Sequence, residues 1–242
     1  MRTCPFSGGM SISKRVCDQC AFQSVSLCNS LSENDIKTLL NLGNVVHFKK
    51  GELIYKQDMR PNGLICQLNS VVKMVKLNDH GVEDIVSLHK PVDLLGITEI
   101  ISEIPYQYSA IALEETQVNI IPISKFINLL QKNAMFSFKL NKYLAWRILD
   151  AHHRTDKFTK KHLRGRLADT LLALHQICNF KGETDTIDLQ ISRADLASYS
   201  NMTSSNAIRT LSEFSHSGLV ELKGKKIRIV NWEELKRLSK FG

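Results

Sequence analysis

Two groups of residues in this 242-residue chain have the types and spacing to do chemistry. Near the start stand Cys4, Cys17, Cys20 and Cys28, four of the six cysteines, three of them spaced Cys17-x2-Cys20-x7-Cys28. Thiolates gathered in this way suit an iron-sulfur cluster, a tetrahedral zinc or a thiol redox switch, and the spacing is also compatible with no metal role. Near the end, Thr203-Ser204-Ser205-Asn206 leads a helical stretch carrying Arg209, and a basic turn, Lys223-Gly224-Lys225-Lys226, follows. Hydroxyls and amides at a helix start grip phosphate, a guanidinium fork takes both acceptors of a guanine, and lysines add salt-sensitive affinity for a polyanion. The expected partner is double-stranded DNA, with Ser192, Arg193, Thr203, Ser204, Ser205, Asn206, Arg209, Lys223, Lys225 and Lys226 as the contact set. Arg209 is the expected base reader; the plainer readings are that it neutralises a phosphate and that the lysines form a solvated turn.

These residues need a scaffold, and composition bounds it. A net charge of +8 favours an anionic partner without separating DNA from RNA or a membrane surface. The absence of an apolar run near the roughly 18 residues of a membrane span, and of a signal-peptide core after Met1-Arg2-Thr3-Cys4-Pro5, leads to the expectation of a cytoplasmic protein without membrane contact. In that reducing compartment the cysteines are expected as thiols or metal ligands, not disulfides. No nucleophile-base pair, paired carboxylates or Gly-rich phosphate loop stands out, so no enzyme is expected.

Along the chain, Ser32-Glu33-Asn34-Asp35 is a capping box opening a short amphipathic helix. From Asn44 to Pro122 short β-type runs alternate with turn formers, which predicts a compact antiparallel β domain containing Cys66 in its core. Beyond Ser124 the periodicity is helical. Leu144, Ile148, Ala151, Thr155 and Phe158 recur at steps of four and three, the seam of a parallel two-stranded coiled coil and hence of a homodimer; the alternative is a helix packed on its own domain. Lys160 to Arg166 reads as a basic hinge. After it come a core helix ending near Cys178, a strand from Ile187 to Ile191, a helix capped by Ser192 and Asp195, and the turn Ser200-Asn201-Met202. A second helix then runs from Thr203 to about Ser217, stopped by Gly218, and a hairpin with a cationic tip closes the pattern of a winged helix-turn-helix. The expected divisions are 1–30, 31–124, 125–161 and 162–242.

At these residues the chain resembles the superfamily of the cyclic AMP receptor protein and the fumarate-nitrate reduction regulator, from about Leu31 onward. The similarity rests on Phe48-Lys49-Lys50-Gly51-Glu52, Leu94-Leu95-Gly96 and Arg164-Gly165-Arg166-Leu167-Ala168. It is densest over Ser192 to Ala197, Ala207 to Phe214, Ser217-Gly218-Leu219 and Lys223-Gly224-Lys225. The run Asn206 to Phe214 looks most like members from the Bacteroidetes. The resemblance implies an α+β fold with a cyclic-nucleotide-binding-like β-roll (jelly roll), a long dimerisation helix and a C-terminal winged helix-turn-helix. It further implies a homodimeric transcription factor that binds a near-palindromic site and works with RNA polymerase.

Departures from the family pattern narrow this. Gly96-Ile97 and Tyr108-Ser109 stand where cyclic-AMP binders of the family place Gly-Glu and Arg-Ser, which argues against cyclic AMP. Ser205 replaces the glutamate that accepts from cytosine in family members reading the common half-sites. Cluster-binding relatives use C-x2-C-x5-C plus one cysteine in the roll; here the spacing is expanded by two and the roll position is Asn119. Cys4 is then the candidate fourth thiolate, across a twelve-residue loop. Some sensors of the superfamily bind haem, for which His152 or His153 is the candidate ligand. The rival function is a redox or metal-binding sensor module, zinc or haem, whose winged helix mediates protein contacts.

Overall fold

The computed structural model describes residues 32–78, 81, 83–91, 93–178, 184–189 and 191–242. Cys4, Cys17, Cys20 and Cys28 lie outside the described residues. Two compact units are present, 1–76 with 88–150 and 77–87 with 151–242.

In the first unit, α1 (Glu33–Leu40) starts as its capping box requires. The Ser32 hydroxyl accepts from the Asp35 amide, and the Ser32 amide donates to the Asp35 carboxylate at 2.8 Å. Eight strands follow, β1 (Asn44–Phe48), β2 (Leu53–Tyr55), β3 (Gly63–Gln67), β4 (Val72–Leu77), β5 (Glu83–His89), β6 (Leu94–Leu95), β7 (Ser109–Ala112) and β8 (Thr116–Pro122), with residues 77–87 of β4 and β5 grouped in the second unit. They form two four-stranded sheets, in the orders β1-β8-β3-β6 and β2-β7-β4-β5. A two-residue side-chain period divides the apolar residues between two cores. Tyr55, Ile65, Val72, Leu95, Ala110 and Val118, drawn from both sheets, fill the space between them. Leu64, Cys66, Leu94 and Ile121 instead pack against Leu39 of α1 and against α2 (Ile97–Ser102), α3 (Ile123–Lys132) and α4 (Ala134–Lys160).

Asn133 separates α3 from α4, and its Oδ1 accepts the Phe136 amide at 2.9 Å. Phe136, Leu140 and Tyr143 turn inward on the roll, and Leu144 is half-buried beside them. Trp146, Ile148, Leu149 and Ala151 are exposed. For Thr155 and Phe158 the structure gives the helical backbone alone.

The second unit contains α5 (Leu163–Cys178), β9 (Thr186–Ile187), α6 (Arg193–Tyr199), α7 (Ser204–His216), β10 (Val220–Lys223), β11 (Lys226–Ile229) and α8 (Trp232–Phe241), with a sheet in the order β10-β11-β9. Two expectations are corrected here. The strand from Ile187 to Ile191 stops at Ile187 because the Ile191 amide donates to the Leu189 carbonyl at 2.8 Å, a local bond that takes the chain out of the ladder. Leu189 and Ile191 are buried all the same, so apolar alternation there marks core burial without pairing. The basic hinge shrinks to Lys161 and His162, since α4 runs to Lys160 and Arg164, Gly165 and Arg166 are already helical. Gly165 is there for close packing: a Cβ on it would meet the Gly242 carbonyl oxygen at 2.4 Å.

Candidate nucleic-acid interface

The interface grows from two capped helix starts. Ser192 caps α6 with the same reciprocal box as α1, its hydroxyl accepting from the Asp195 amide at 2.9 Å and its amide donating to Asp195 Oδ2 at 2.8 Å. Thr203 caps α7, its Oγ1 accepting the Asn206 amide at 3.3 Å. Between the helices Asn201 sits at φ +53°, the left-handed turn that an asparagine tolerates. Arg166, which sequence reasoning missed, holds that turn: its Nη1 donates to the Asn201 carbonyl at 3.1 Å and its Nε to the Lys161 carbonyl at 3.0 Å. No local pattern could have shown this, because donor and acceptor lie 35 residues apart. Arg164, equally unassigned, pairs with Glu213 at 3.3 Å and lies 5.4 Å over the Phe214 ring.

Helix α7 buries Ala207, Thr210, Leu211 and Phe214 and turns Ser204, Ser205, Ile208 and Arg209 outward. Arg209 Nη2 donates to Asn206 Oδ1 at 3.2 Å, so Asn206 orients the guanidinium from one turn earlier. Arg193 serves the wing: its Nη2 donates to the Gly224 carbonyl at 3.0 Å, and its partial burial lowers its pKa. Lys226 is paired with Asp188 at 2.6 Å, and Lys223 with Glu221 at 3.2 Å, while Lys225 is exposed at the tip. The structure thus brings all ten expected contact residues into one unit. It gives Ser192, Thr203, Asn206 and Arg193 positioning bonds of their own.

Matches to known families cover both units' principal folds. Residues 165–238 match the Crp-like helix-turn-helix domain, and residues 45–133 the cyclic nucleotide-binding domain. The chain is 26% identical over 227 residues to the transcriptional activator protein Anr of Pseudomonas aeruginosa, covering 92% of each. It is 25% identical over 238 residues to the fumarate and nitrate reduction regulatory protein of Escherichia coli, covering 96% of this chain and 92% of that one. In fold it is similar to FixK2 of Bradyrhizobium japonicum, with a TM-score of 0.72 at 22% identity over 81% of this chain and 96% of that one. The chain belongs to the CRP/FNR family of transcriptional regulators. Its homologues are transcription factors, not enzymes.

In this CRP/FNR regulator the space between the two sheets of the roll holds buried apolar and aromatic side chains. Tyr55 and Tyr106 stack with ring centroids 3.8 Å apart. Tyr106 also lies over Gly96, which at φ +74° has no room for a Cβ, the ring carbon being 2.7 Å away. Burial, with the Glu99 carboxylate adding to it, pushes the Tyr106 hydroxyl up to about 12. Ile97 faces the helix-side core, and Ser109 Oγ accepts the Gln57 amide at 2.9 Å. Asn119 lies between Val45 and Cys66 in one cross-strand row. Its Nδ2 donates to the Leu40 carbonyl at 3.1 Å, tying α1 to the sheet. Burial raises the Cys66 thiol far above its ordinary value, so it stays protonated. Among the described residues no three His, Cys, Asp or Glu side chains gather to hold a metal, and no helix is long and apolar enough to cross a membrane. His152 is exposed on α4.

Proposed function

We propose that this CRP/FNR regulator acts as a cytoplasmic homodimer that reads a near-palindromic duplex with α7 and engages RNA polymerase from there. The observation that carries the reading is the outward face of α7, where Arg209 is held by Asn206 and flanked by the Ser204 and Ser205 hydroxyls. Arg209 takes a guanine, while Ser192, Arg193, Thr203, Ser204, Ser205, Asn206, Lys223, Lys225 and Lys226 hold backbone phosphates or the elements that reach them. Dimerisation is proposed through α4, where half-buried Leu144, exposed Ile148 and Ala151, and Thr155 and Phe158 recur as one heptad stripe, Leu144 also packing on the roll. The proposed division of labour is a cysteine-bearing segment at 1–30, a sensory roll at 31–124, a dimerisation region at 125–161 and a DNA-binding domain at 162–242.

For the signal we propose the N-terminal cysteines in place of a nucleotide. The roll has Gly96-Ile97 and Tyr108-Ser109 where cyclic-AMP binders of the family place Gly-Glu and Arg-Ser, and its core holds the stacked pair Tyr55 and Tyr106. It also adds no thiolate to a metal site, because Asn119 spends its amide on Leu40 and Cys66 is a buried thiol. An iron-sulfur cluster responding to oxygen or nitric oxide therefore rests on Cys4, Cys17, Cys20 and Cys28 alone, a donor set that zinc would also accept. Salt-dependent binding of a randomised duplex pool, followed by selection with wild type and Arg209→Ala, tests the DNA reading. Unchanged sequence preference in the variant refutes the assignment of the reader. No duplex binding at low salt in any redox state would instead favour a sensor whose winged helix contacts protein. Iron and sulfide content of anaerobically purified protein, compared with Cys20→Ser, tests the cysteines; equal metal content in the two removes them.

A further inference from the structure

Ile208 is 49% exposed at the centre of an otherwise polar helix face. Ser204 and Ser205 precede it by one turn, Arg209 follows it, and the opposite face of α7 carries the core residues Ala207, Thr210, Leu211 and Phe214. In the free protein this isoleucine leaves about half of its surface in water. Its branched Cβ restricts rotamers in a helix, where a leucine or alanine would propagate better, and its exposed methyls forgo burial. A surface that covers it would recover that burial.

The cover is identified by its neighbours. A face bearing Arg209, serine hydroxyls and a capped helix start is suited to the major groove, where the base edges present one apolar group, the C5-methyl of thymine. The geometry points to Ile208 as a specificity-determining residue that packs on a thymine methyl beside the base taken by Arg209. This rests on the reading of α7 as the groove-entering helix. Both side chains lean toward the start of α7, as helical Cβ atoms do, so they meet neighbouring base pairs in one half-site. The two serines one turn earlier accept and donate equally and impose little choice of their own, leaving Ile208 and Arg209 to set the sequence.

The test uses the wild-type protein and a duplex selected from a randomised pool. Each thymine is replaced in turn by deoxyuridine, which removes the methyl and keeps the pairing. One thymine per half-site is expected to respond with a loss of affinity of about four-fold, the value of burying one methyl-sized group. Ile208→Ala, at an exposed position, is expected to bind thymine and uracil duplexes equally. Uniform affinity across all uracil duplexes, or the same loss in Ile208→Ala as in wild type, overturns the assignment of Ile208 while leaving α7 as the reading helix. A wild type that binds no duplex in a salt-dependent way removes the reading of α7 itself, and Ile208 with it.

Discussion

Removing the positive charge of Arg147 tests what holds α4 on the roll. Asp93 has a side chain only 9% exposed, and its Oδ2 lies 3.1 Å from Arg147 Nη1 and 3.1 Å from His89 Nδ1. Burial works to raise the Asp93 carboxyl, but Arg147, His89 and Lys90 outweigh it and hold the group below its ordinary value. Arg147→Met retains much of the stem beside Tyr143 and deletes the guanidinium. Breaking a fully buried pair from one side costs about 3–5 kcal/mol. Here Arg147 is 30% exposed and His89 still faces the acid, so about 2 kcal/mol is expected after discounting for solvent. Urea unfolding of the full chain in a Trp232→Phe background reads this at Trp146, adjacent to the substitution. A double-mutant cycle with Asp93→Asn isolates the charge pair. If Arg147→Met costs as much in the Asp93→Asn background as in wild type, the ion pair contributes nothing and the reasoning fails. The pH dependence follows the same sign. A carboxylate with a depressed folded pKa contributes stability that is present above its unfolded value, near about 3.9, and lost as pH falls through the folded value. The advantage of wild type over Asp93→Asn should therefore shrink below about pH 4.

Three further outcomes are expected. Ser192→Ala should cost about 1–2 kcal/mol and Thr203→Ala about 0.5–1 kcal/mol in thermal unfolding, because the first cap is a short reciprocal box and the second a single bond at 3.3 Å; the reverse order contradicts the cap geometry. Gly165→Ala should destabilise the second unit by about 1–3 kcal/mol, since its Cβ would stand 2.4 Å from the Gly242 carbonyl oxygen; an unchanged midpoint would mean the C-terminus simply moves aside. Arg193→Ala should speed amide exchange around Gly224 while leaving the slope of DNA affinity against salt unchanged if the residue tethers the wing; a slope reduced by about one unit would show a direct phosphate contact.

How much was legible depended on distance along the chain. The three helix starts at Ser32, Ser192 and Thr203 were visible because a cap and its amide lie within four residues, and Gly218, at φ +70°, marks the helix stop for the same local reason. The roll strands could be recognised from alternation, but alternation reports burial and not pairing, which is why Leu189 and Ile191 mimicked a strand. The basic run from Lys160 to Arg166 resembled a hinge because charge and glycine usually mark loops. The structure has helix from Leu163 onward instead, with Gly165 packed against Gly242, 77 positions on.

The sequence by itself pointed to most of the elements, to the family and to the residues proposed to meet DNA, since each follows from residue type and short-range period. Tertiary structure alone decided which polar side chains are spent on the fold. The Arg193 guanidinium closes on a wing carbonyl 31 residues away, Arg166 on a turn carbonyl 35 away, and Asn119 on the end of α1, 79 away. A hydrogen bond between distant residues exists once the whole core has brought donor and acceptor within about 3 Å, and no local pattern encodes that approach.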